Sequence, residues 1–395
     1  MSGSLSSIYD NISLALYLHS QALARLQEQA STGARINRPS DDPSDAYQIL
    51  GLSSQQRSLE NYIDNLSEMV HTLQITSTIL GDMTSQLVET KTRLTQITSG
   101  IYGEMGRQRI ADGINDILEQ IVSLANTKHA KQYLFGGSNT TSAPYVVQRT
   151  NGEITSITYQ GSAEDRNIEV APGLESSAFC IGDDIFRSSN RGTPIFMGDT
   201  GAKAGTGTSS VTGDVWLTVI HDGSNYKLSI DDGASYVTVP AGGDTNQAVT
   251  DSRTGKILYV DSTQINSTGI EMVSVPGTYD IFNTLISIRD ILKNERGLSD
   301  AQLQELLKNS MNSLDEINSL MVQTEVSVGS KMGFLDNMKD TLNNLKYNTE
   351  DEVTHLQEAD IAQVAIELSR REILYQMSLS VAGKLMSMSL LDFIK

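Results

Sequence analysis

Residues 52–101 read LSSQQRSLENYIDNLSEMVHTLQITSTILGDMTSQLVETKTRLTQITSGI. Taken in sevens, this stretch sets Leu52, Leu59, Leu66, Leu73, Leu80, Leu87, Leu94 and Ile101 on one line. The residues three or four further on are mixed: Ile63, Met69, Val70, Met83 and Ile97 are apolar, whereas Ser77, Thr84 and Lys91 are not. An average spacing of about 3.5 residues keeps one seam turned toward a partner helix, which is the pattern of coiled-coil packing. No proline falls between Pro43 and Pro144, so nothing forces a break. A helix of this length runs on the order of 75 Å at a rise of about 1.5 Å per residue. Each buried Leu contributes about 1.5–3 kcal/mol, but only where another helix covers it.

Two partners are legible. After the turn Gly100-Ile101-Tyr102-Gly103-Glu104-Met105-Gly106, Ile110, Ile114, Ile117, Ile121 and Leu124 alternate spacings of four and three. That predicts an antiparallel helix running back to about Ala130. Far along the chain, Leu307, Leu314, Met321, Val328, Leu335 and Leu342 recur in sevens, with Leu303, Ile317, Met338 and Leu345 at a second seam that Ser310, Thr324 and Lys331 interrupt. A shorter helix over Ile281, Leu285, Ile288 and Ile291, ending near Gly297, precedes it.

Between these helices the texture changes. From about Ser138 to Val275 the chain is rich in Gly, Ser and Thr and holds its only Trp, Trp216, and its only Cys, Cys180. Tyr145–Val147 and Ile154–Tyr159 flank Asn151-Gly152, a hairpin-turn signal. Val215–Ile220 and Tyr226–Ile230 flank Asp222-Gly223-Ser224-Asn225. Asp232-Gly233 leads to Tyr236–Val239, and Ile257–Val260 reads as a further strand. Residues 187–212 read as a loop or mobile edge. The fold class is therefore mainly α with an inserted β-rich domain. The N- and C-terminal helices pair in a long coiled-coil bundle with the β module at the far tip. The expected divisions are 1–40 with 350–395 as a terminal coiled coil, 41–137 with 276–349 as a helical-bundle core, and 138–275 as a β-rich outer domain.

The two ends carry wide apolar stripes. Leu5, Ile8, Ile12, Leu16, Leu23 and Leu26 mark a first helix over 5–31 that stops at Gly33. A last helix, about 358–392, carries Ile361, Ala365, Leu368, Leu374, Met377, Val381, Met388 and Leu391. With no partner left inside one chain, these ends are expected to fray alone and to order on assembly. Leu5, Ile8, Ile12, Leu23, Leu26, Leu374, Met377, Val381, Met388 and Leu391 are the expected subunit-interface residues. Between the first two helices, Asp42 is positioned as N-cap, Pro43 as the first helical residue and Asp45 as the acid at the positive helix end, with Arg35 and Arg38 as partners for the Asp cluster.

Composition narrows the function. A net charge of −19, from 48 acidic and 29 basic residues, disfavours nucleic acid and anionic membranes. One cysteine permits no intramolecular disulfide or Cys-based metal site. The start, Met1-Ser2-Gly3-Ser4-Leu5, lacks a basic and then apolar signal peptide, and no apolar run is long enough to span a bilayer. The five histidines, His19, His71, His129, His221 and His355, are scattered, and no phosphate-cradling Gly-rich run exists. No catalytic, metal or cofactor site is expected. Asp222–Asn225 and Asp231–Gly233 are too short for calcium loops and read as turns.

Leu26-Gln27-Glu28-Gln29-Ala30-Ser31-Thr32-Gly33-Ala34-Arg35-Ile36-Asn37-Arg38-Pro39-Ser40-Asp41-Asp42-Pro43 resembles the N-terminal signature of the flagellin superfamily. Its turn motif, Arg38, Pro39, Asp41, Asp42 and Pro43, is nearer to the hook–filament junction branch than to filament flagellin. Gln132–Gly137, Ile157–Gly161 and the ending Ser389-Leu390-Leu391-Asp392-Phe393 are similar to segments of the same branch. The likeness covers roughly 1–170 and 276–395. It implies a structural, non-enzymatic role in the bacterial flagellum, outside the cell, after type III export without a cleaved signal. The implied partners are hook-associated protein 1, flagellin, further copies of the chain in a ring, and an export chaperone on the C-terminal region. Filament flagellin itself, or a flagellin-like surface protein whose β insert is an adhesin, are the alternatives.

Overall fold

In a computed structural model of the chain, the backbone is described for residues 2–99 and 103–393 and side chains for 10–98 and 103–384. The side chains of Leu5, Ile8, Met388 and Leu391, together with Ile101 and the Gly100–Tyr102 turn, lie outside the described residues. The N-terminal helices are α1 (Ser2–Thr32), α2 (Pro43–Ser99) and α3 (Glu104–Ala125). A β-rich stretch follows: β1 (Lys128–His129), β2 (Gln132–Tyr133), β3 (Tyr145–Thr150), β4 (Glu153–Tyr159), β5 (Asn167–Ala171), β6 (Leu174–Ser177), the short α4 (Gly182–Phe186), β7 (Ile195–Met197), β8 (Lys203–Ala204), β9 (Gly213–His221), β10 (Tyr226–Ser229), β11 (Val237–Thr238), β12 (Gln247–Thr250), β13 (Ile257–Asp261) and β14 (Gly269–Val275). The chain returns to helix in α5 (Ile281–Lys293), α6 (Asp300–Gln357) and α7 (Ile361–Phe393). This is the mainly α architecture with a β-rich insertion that the hydropathy pattern predicts. The chain divides into two compact units, Met1–Asp64 with Met338–Lys395, and Asn65–Asn337.

In the second unit, Leu66, Leu73, Leu80, Leu87 and Leu94 of α2 are fully buried. The line three residues on is filled without a gap by Met69, Thr76, Met83, Thr90 and Ile97. The two threonines fit because each hydroxyl donates to the carbonyl one turn back, Thr76 to Thr72 at 3.0 Å and Thr90 to Gln86 at 3.0 Å. Neither of these two hydroxyls is left unpaired. The seam that reads as interrupted at Ser77, Thr84 and Lys91 is thus continuous one residue earlier in each heptad.

On α6, Leu307, Leu314, Met321, Val328 and Leu335 are buried. Ser310 fills its seam position rather than breaking it, by donating to Leu306 O at 3.0 Å. The two helices run antiparallel: Lys91 pairs with Asp315, and Gly81 lies against Glu325. Passing from one pair to the other moves equally far along each helix but in opposite chain directions.

Helix α3 buries Ile114, Ile117, Leu118 and Ile121 and packs beside α5. It also meets α2, since a Cβ on Gly113 would sit 2.5 Å from the Arg93 guanidinium. It ends at Ala125, short of the expected Ala130, because Lys128 and His129 turn into a strand pairing with Gln132 and Tyr133. Arg289 on α5 is buried and joins three elements, donating to Asn115 Oδ1 at 3.0 Å, Ile154 O at 2.7 Å and Asp290 Oδ1 at 2.9 Å. Helix α5 stops at Asn294, which adopts a left-handed conformation at φ 52°, and not at Gly297.

The β-rich stretch contains a five-stranded antiparallel sheet in the order β11-β10-β9-β14-β7 and a three-stranded sheet in the order β12-β13-β8. Leu217, Val219, Leu228 and Val273 from the first share one core with Val249, Leu258 and Val260 from the second. The β3–β4 hairpin turns on Asn151 at φ 54° and Gly152 at φ 88°, the left-handed pair that a tight hairpin demands. Residues 187–212, expected as loop, contribute the short edge strands β7 and β8. Asp231 is a buried hub: its carboxylate accepts from Ser229, from the N–H and hydroxyl of Ser235, and from the N–H and hydroxyl of Ser252. Desolvation pushes this carboxyl up, and the hydrogen bonds outweigh it and hold the group far below the usual carboxylate range.

In the first unit, α1 and α7 pack side by side. The N- and C-terminal helices pair, as the fold class predicts; each covers one face of the other, so the terminal stripes are only partly without a partner inside one chain, against the expectation that they have none. Nearby, Ile36, Ala46 and Ile49 form a small core against Val353 and Leu356, and Lys346 pairs with Glu60 at 2.9 Å. Leu345, expected at a seam, is 43% exposed, because the buried line here runs through Leu342 and Thr349.

Candidate assembly interface

The turn between α1 and α2 and the turn between α6 and α7 are fastened to one another. Gly33, at φ 72°, ends α1, and its carbonyl accepts from Ala359 N at 2.9 Å. Arg35 N donates to Gln357 O at 2.6 Å, so Ala34 and Glu358 form an isolated antiparallel bridge. The buried Gln29 side chain donates to Arg35 O at 2.8 Å. The Arg35 guanidinium pairs with Asp45, with Asp42 at 3.2 Å and with Leu356 O at 3.2 Å. One cation thus ties the start of α2 to the end of α6.

The acidic residues of the turn have separate tasks. Asp42 Oδ1 accepts from the N–H groups of Ser44 and Asp45 at 3.2 Å, capping α2 as its position predicts. The Asp45 N–H, and after it Arg35, hold the Asp42 carboxyl below the usual carboxylate range. Asp45 and then Asp42 in turn raise Arg35 above its ordinary value. Asp41 Oδ2 closes the turn by accepting from Asn37 N at 3.1 Å and Arg38 N at 2.9 Å, and Arg25 stands 3.6 Å away. Arg38, expected to pair with the Asp cluster, reaches back to Glu28 on α1 at 3.3 Å. Pro39 is exposed, and Pro43 opens α2. Asp360 caps α7 by accepting from Ala362 and Gln363 at 3.0 and 3.1 Å.

From this joint α1 and α7 extend side by side. Ile12, Leu23 and Leu26 on α1 and Leu374 on α7 are half-buried, and Val364 is buried. Met377 and Val381 face away from this seam and are exposed. They belong to an outer face that sequence reasoning did not fully identify. On α7 it comprises Ile366, Ile373, Met377 and Val381, 69%, 59%, 61% and 49% exposed, and on α1 it comprises Leu14, Tyr17 and Leu18, with Tyr17 59% exposed. The spacings of seven and four on α7, and of three and four on α1, place each set along one side of its helix. The signal was available, since these residues broaden the terminal stripes beyond what a single neighbour covers. A cavity of about 210 Å³ lies beside the joint, lined by Leu26, Gln29, Arg35, Asp360, Gln363 and Val364 among others.

This arrangement offers apolar surface on paired helices held in register by a hydrogen-bonded joint. Among the described residues, no group of three or more His, Cys, Asp or Glu side chains is placed to hold a metal ion. No described helix is long and apolar enough to cross a membrane.

The chain matches the family described as bacterial flagellin N-terminal helical region over residues 8–140. It is 27% identical over 162 residues to flagellar hook-associated protein 3 of Escherichia coli strain K12, covering 41% of this chain and 49% of that protein. The chain therefore spans about half the length of that relative. It is 22% identical over 374 residues to polar flagellin C of Vibrio parahaemolyticus, covering 90% of this chain and 89% of the relative. Among solved structures, flagellar hook associated protein-3 from Legionella pneumophila is similar with a TM-score of 0.54 at 16% identity, covering 78% of this chain and 98% of that one. At that identity the likeness is one of fold. The chain thus carries a bacterial flagellin N-terminal helical region over residues 8–140 and is similar to hook-associated protein 3.

Proposed function

We propose that this protein is a structural component of the bacterial flagellum that joins hook-associated protein 1, at the hook end, to the flagellin filament. The observation that carries this reading is the outer apolar face of α1 and α7, with Tyr17, Ile366, Ile373 and Met377 exposed. A lateral contact between unlike faces of successive copies generates a ring or an open helical array. The outer face of the terminal pair is the surface available for it, with further copies in the same layer and hook-associated protein 1 or flagellin in the layers on either side. Leu5, Ile8, Met388 and Leu391 extend the same interface in this reading. Residues 1–40 with 350–395 then act as the assembly domain, 41–137 with 276–349 as the helical core, and 138–275 as the outer domain. Export proceeds through the type III apparatus without a cleaved signal, with a chaperone on the C-terminal region until assembly.

Filament flagellin is the second reading, favoured by the likeness to polar flagellin C over 90% of this chain. Deleting the gene separates the two. A junction protein leaves hooks without filaments and flagellin monomers in the medium, and both defects are repaired by supplying the gene in trans. Loss of a sole flagellin leaves hooks with no flagellin to shed, and that outcome would replace the junction reading.

A further inference from the structure

A cleft of about 340 Å³ lies where β9, the β12–β13 turn and α5 meet, within the range of about 300–1,000 Å³ for small-molecule sites. Helix α5 turns one face to it: Asn283, Ile286, Ser287 and Asp290 follow one another at the spacings that line residues up on one side of a helix. Asp214 and Trp216 border it from β9. Two residues apart, they stand on the same face of the sheet, and the hydrogen bond from Ser287 to Asp214 Oδ2 at 3.1 Å sets that face against α5. Thr254 and Lys256 border the cleft from the β12–β13 turn.

Its polar side chains are each held by one neighbour and keep hydrogen-bonding capacity to spare. Asn283 donates from its side-chain amide to Asp280 Oδ2 at 2.6 Å, which leaves its own carbonyl oxygen to accept. Asp290 Oδ1 takes the buried Arg289 side chain at 2.9 Å, which leaves Oδ2. Lys256 Nζ donates to Thr212 Oγ1 at 2.8 Å and carries two more protons. Asn283, Asp290 and Lys256 are exposed, so a ligand can reach them, and Trp216 is half-buried. The Arg296 guanidinium, 4.6 Å from the indole centroid, holds that ring from one side. Donors and acceptors are thus mixed, and the charges of Lys256 and Asp290 offset one another, which suits neither a simple anion nor an organic cation. Among the described residues no group is placed to hold a metal ion. A sugar ring fits this balance, because each hydroxyl both donates and accepts while the C–H surface is apolar. We propose that this cleft binds a neutral monosaccharide unit, with Asn283, Asp290 and Lys256 on its hydroxyls and Trp216 against its C–H surface. The same unit occurs as a free sugar and as the end of a glycan. The cleft shares no residue with the terminal helices and does not rest on the junction role.

The test is titration of the full-length protein with glucose, galactose, mannose and N-acetylglucosamine, and with the methyl glycoside of each, followed by fluorescence and calorimetry. Trp216 is the only tryptophan, so its emission reports on this cleft. A saturable change is expected with at least one of the sugars. Retained binding of its methyl glycoside identifies a glycan end as the natural ligand, and loss of binding on methylation identifies a free sugar. Lys256→Met and Asn283→Ala are each expected to weaken binding about tenfold, the worth of one hydrogen bond to a charged or well-placed group, while thermal unfolding stays unchanged. Titrations in which no sugar saturates, equal binding of cyclohexanol, tighter binding of inorganic phosphate or of butylamine, or unchanged affinity in both variants would each overturn the proposal. Should either variant fail to fold, the wild-type titrations and the cyclohexanol comparison still decide the matter.

Discussion

Ala359 donates its backbone N–H to the carbonyl of Gly33 at 2.9 Å, closing the gap between two turns that lie near opposite ends of the chain. Helices α1 and α7 leave from this point, so the bond sets where the terminal pair begins and which faces remain open. It depends on Gly33 adopting φ 72°, where a Cβ is disfavoured by backbone geometry alone, since nothing else lies within 4 Å of it.

Gly33→Ala is therefore expected to destabilise the terminal unit by about 1–2 kcal/mol, the cost of a left-handed conformation for a residue with a Cβ. Gly33→Asn, which tolerates that conformation better, is expected to lose less. Chemical denaturation followed by signals from α1 and α7 gives the ranking; equal losses would show that the turn relaxes to another conformation.

Arg35→Ala removes the cation shared by Asp45, Asp42 and Leu356 O. The expected result is faster hydrogen exchange at the Ala359 and Arg35 amides, with little change at Leu80 or Leu314. Arg35→Lys is expected to restore only part of the protection, because an ammonium cannot reproduce the planar fork.

In the long seam, Leu80→Ala is expected to cost about 2–5 kcal/mol, the usual range for a fully buried leucine. Thr76→Val keeps the shape and removes a hydroxyl bonded only to its own helix. It is expected to change stability by no more than about 1 kcal/mol. Urea unfolding of the two variants compares them; a large loss in Thr76→Val would mean that its hydroxyl has a task beyond the Thr72 carbonyl.

Acid is expected to loosen the β-rich region through Asp231. Its carboxyl is depressed in the folded state, so its stabilisation is complete above the ordinary carboxylate value of about 3.9 and is lost as pH falls below it. Asp231→Asn should lower stability at neutral pH and flatten the acid limb of the curve. Glu271 acts in the opposite sense, because its folded carboxyl is raised. Its contribution is present at low pH and is lost as pH rises through that raised value. Unfolding curves between about pH 2 and 7, in the range where carboxyls titrate, separate the two.

Ile373→Glu and Met377→Glu place charge on the exposed outer face of α7. Thermal unfolding of the soluble protein is expected to change little, since neither side chain lies in the α1–α7 seam. Motility of a deletion strain supplied with either variant is expected to be lost. Full motility would remove this face from the assembly surface.

The heptad line from Leu52 to Leu94 and its counterpart from Leu307 to Leu342 were legible because burial at a helix interface repeats with the helix turn. The Asn151-Gly152 and Asp222–Asn225 turns were legible because left-handed backbone and side-chain capping restrict the residues that form them. Strand β14 was not, because Glu271 and Ser274 look like surface residues and interrupt the apolar pattern of a central strand. Both are buried in the structure. The threonine positions of the α2 seam were hidden in the same way, because a back-bonded hydroxyl satisfies itself and passes for a polar break.

Sequence alone determined the helical ends, the β-rich interruption, the capped turn at Asp42 and the family likeness, since each rests on spacing between residues close in the chain. Tertiary structure decided which faces of the paired α1 and α7 stay open, leaving Tyr17, Ile373 and Met377 exposed. It also set Ala359 on Gly33 and Arg289 on the Ile154 carbonyl. These are meetings of residues remote in sequence, and their geometry depends on how whole elements pack.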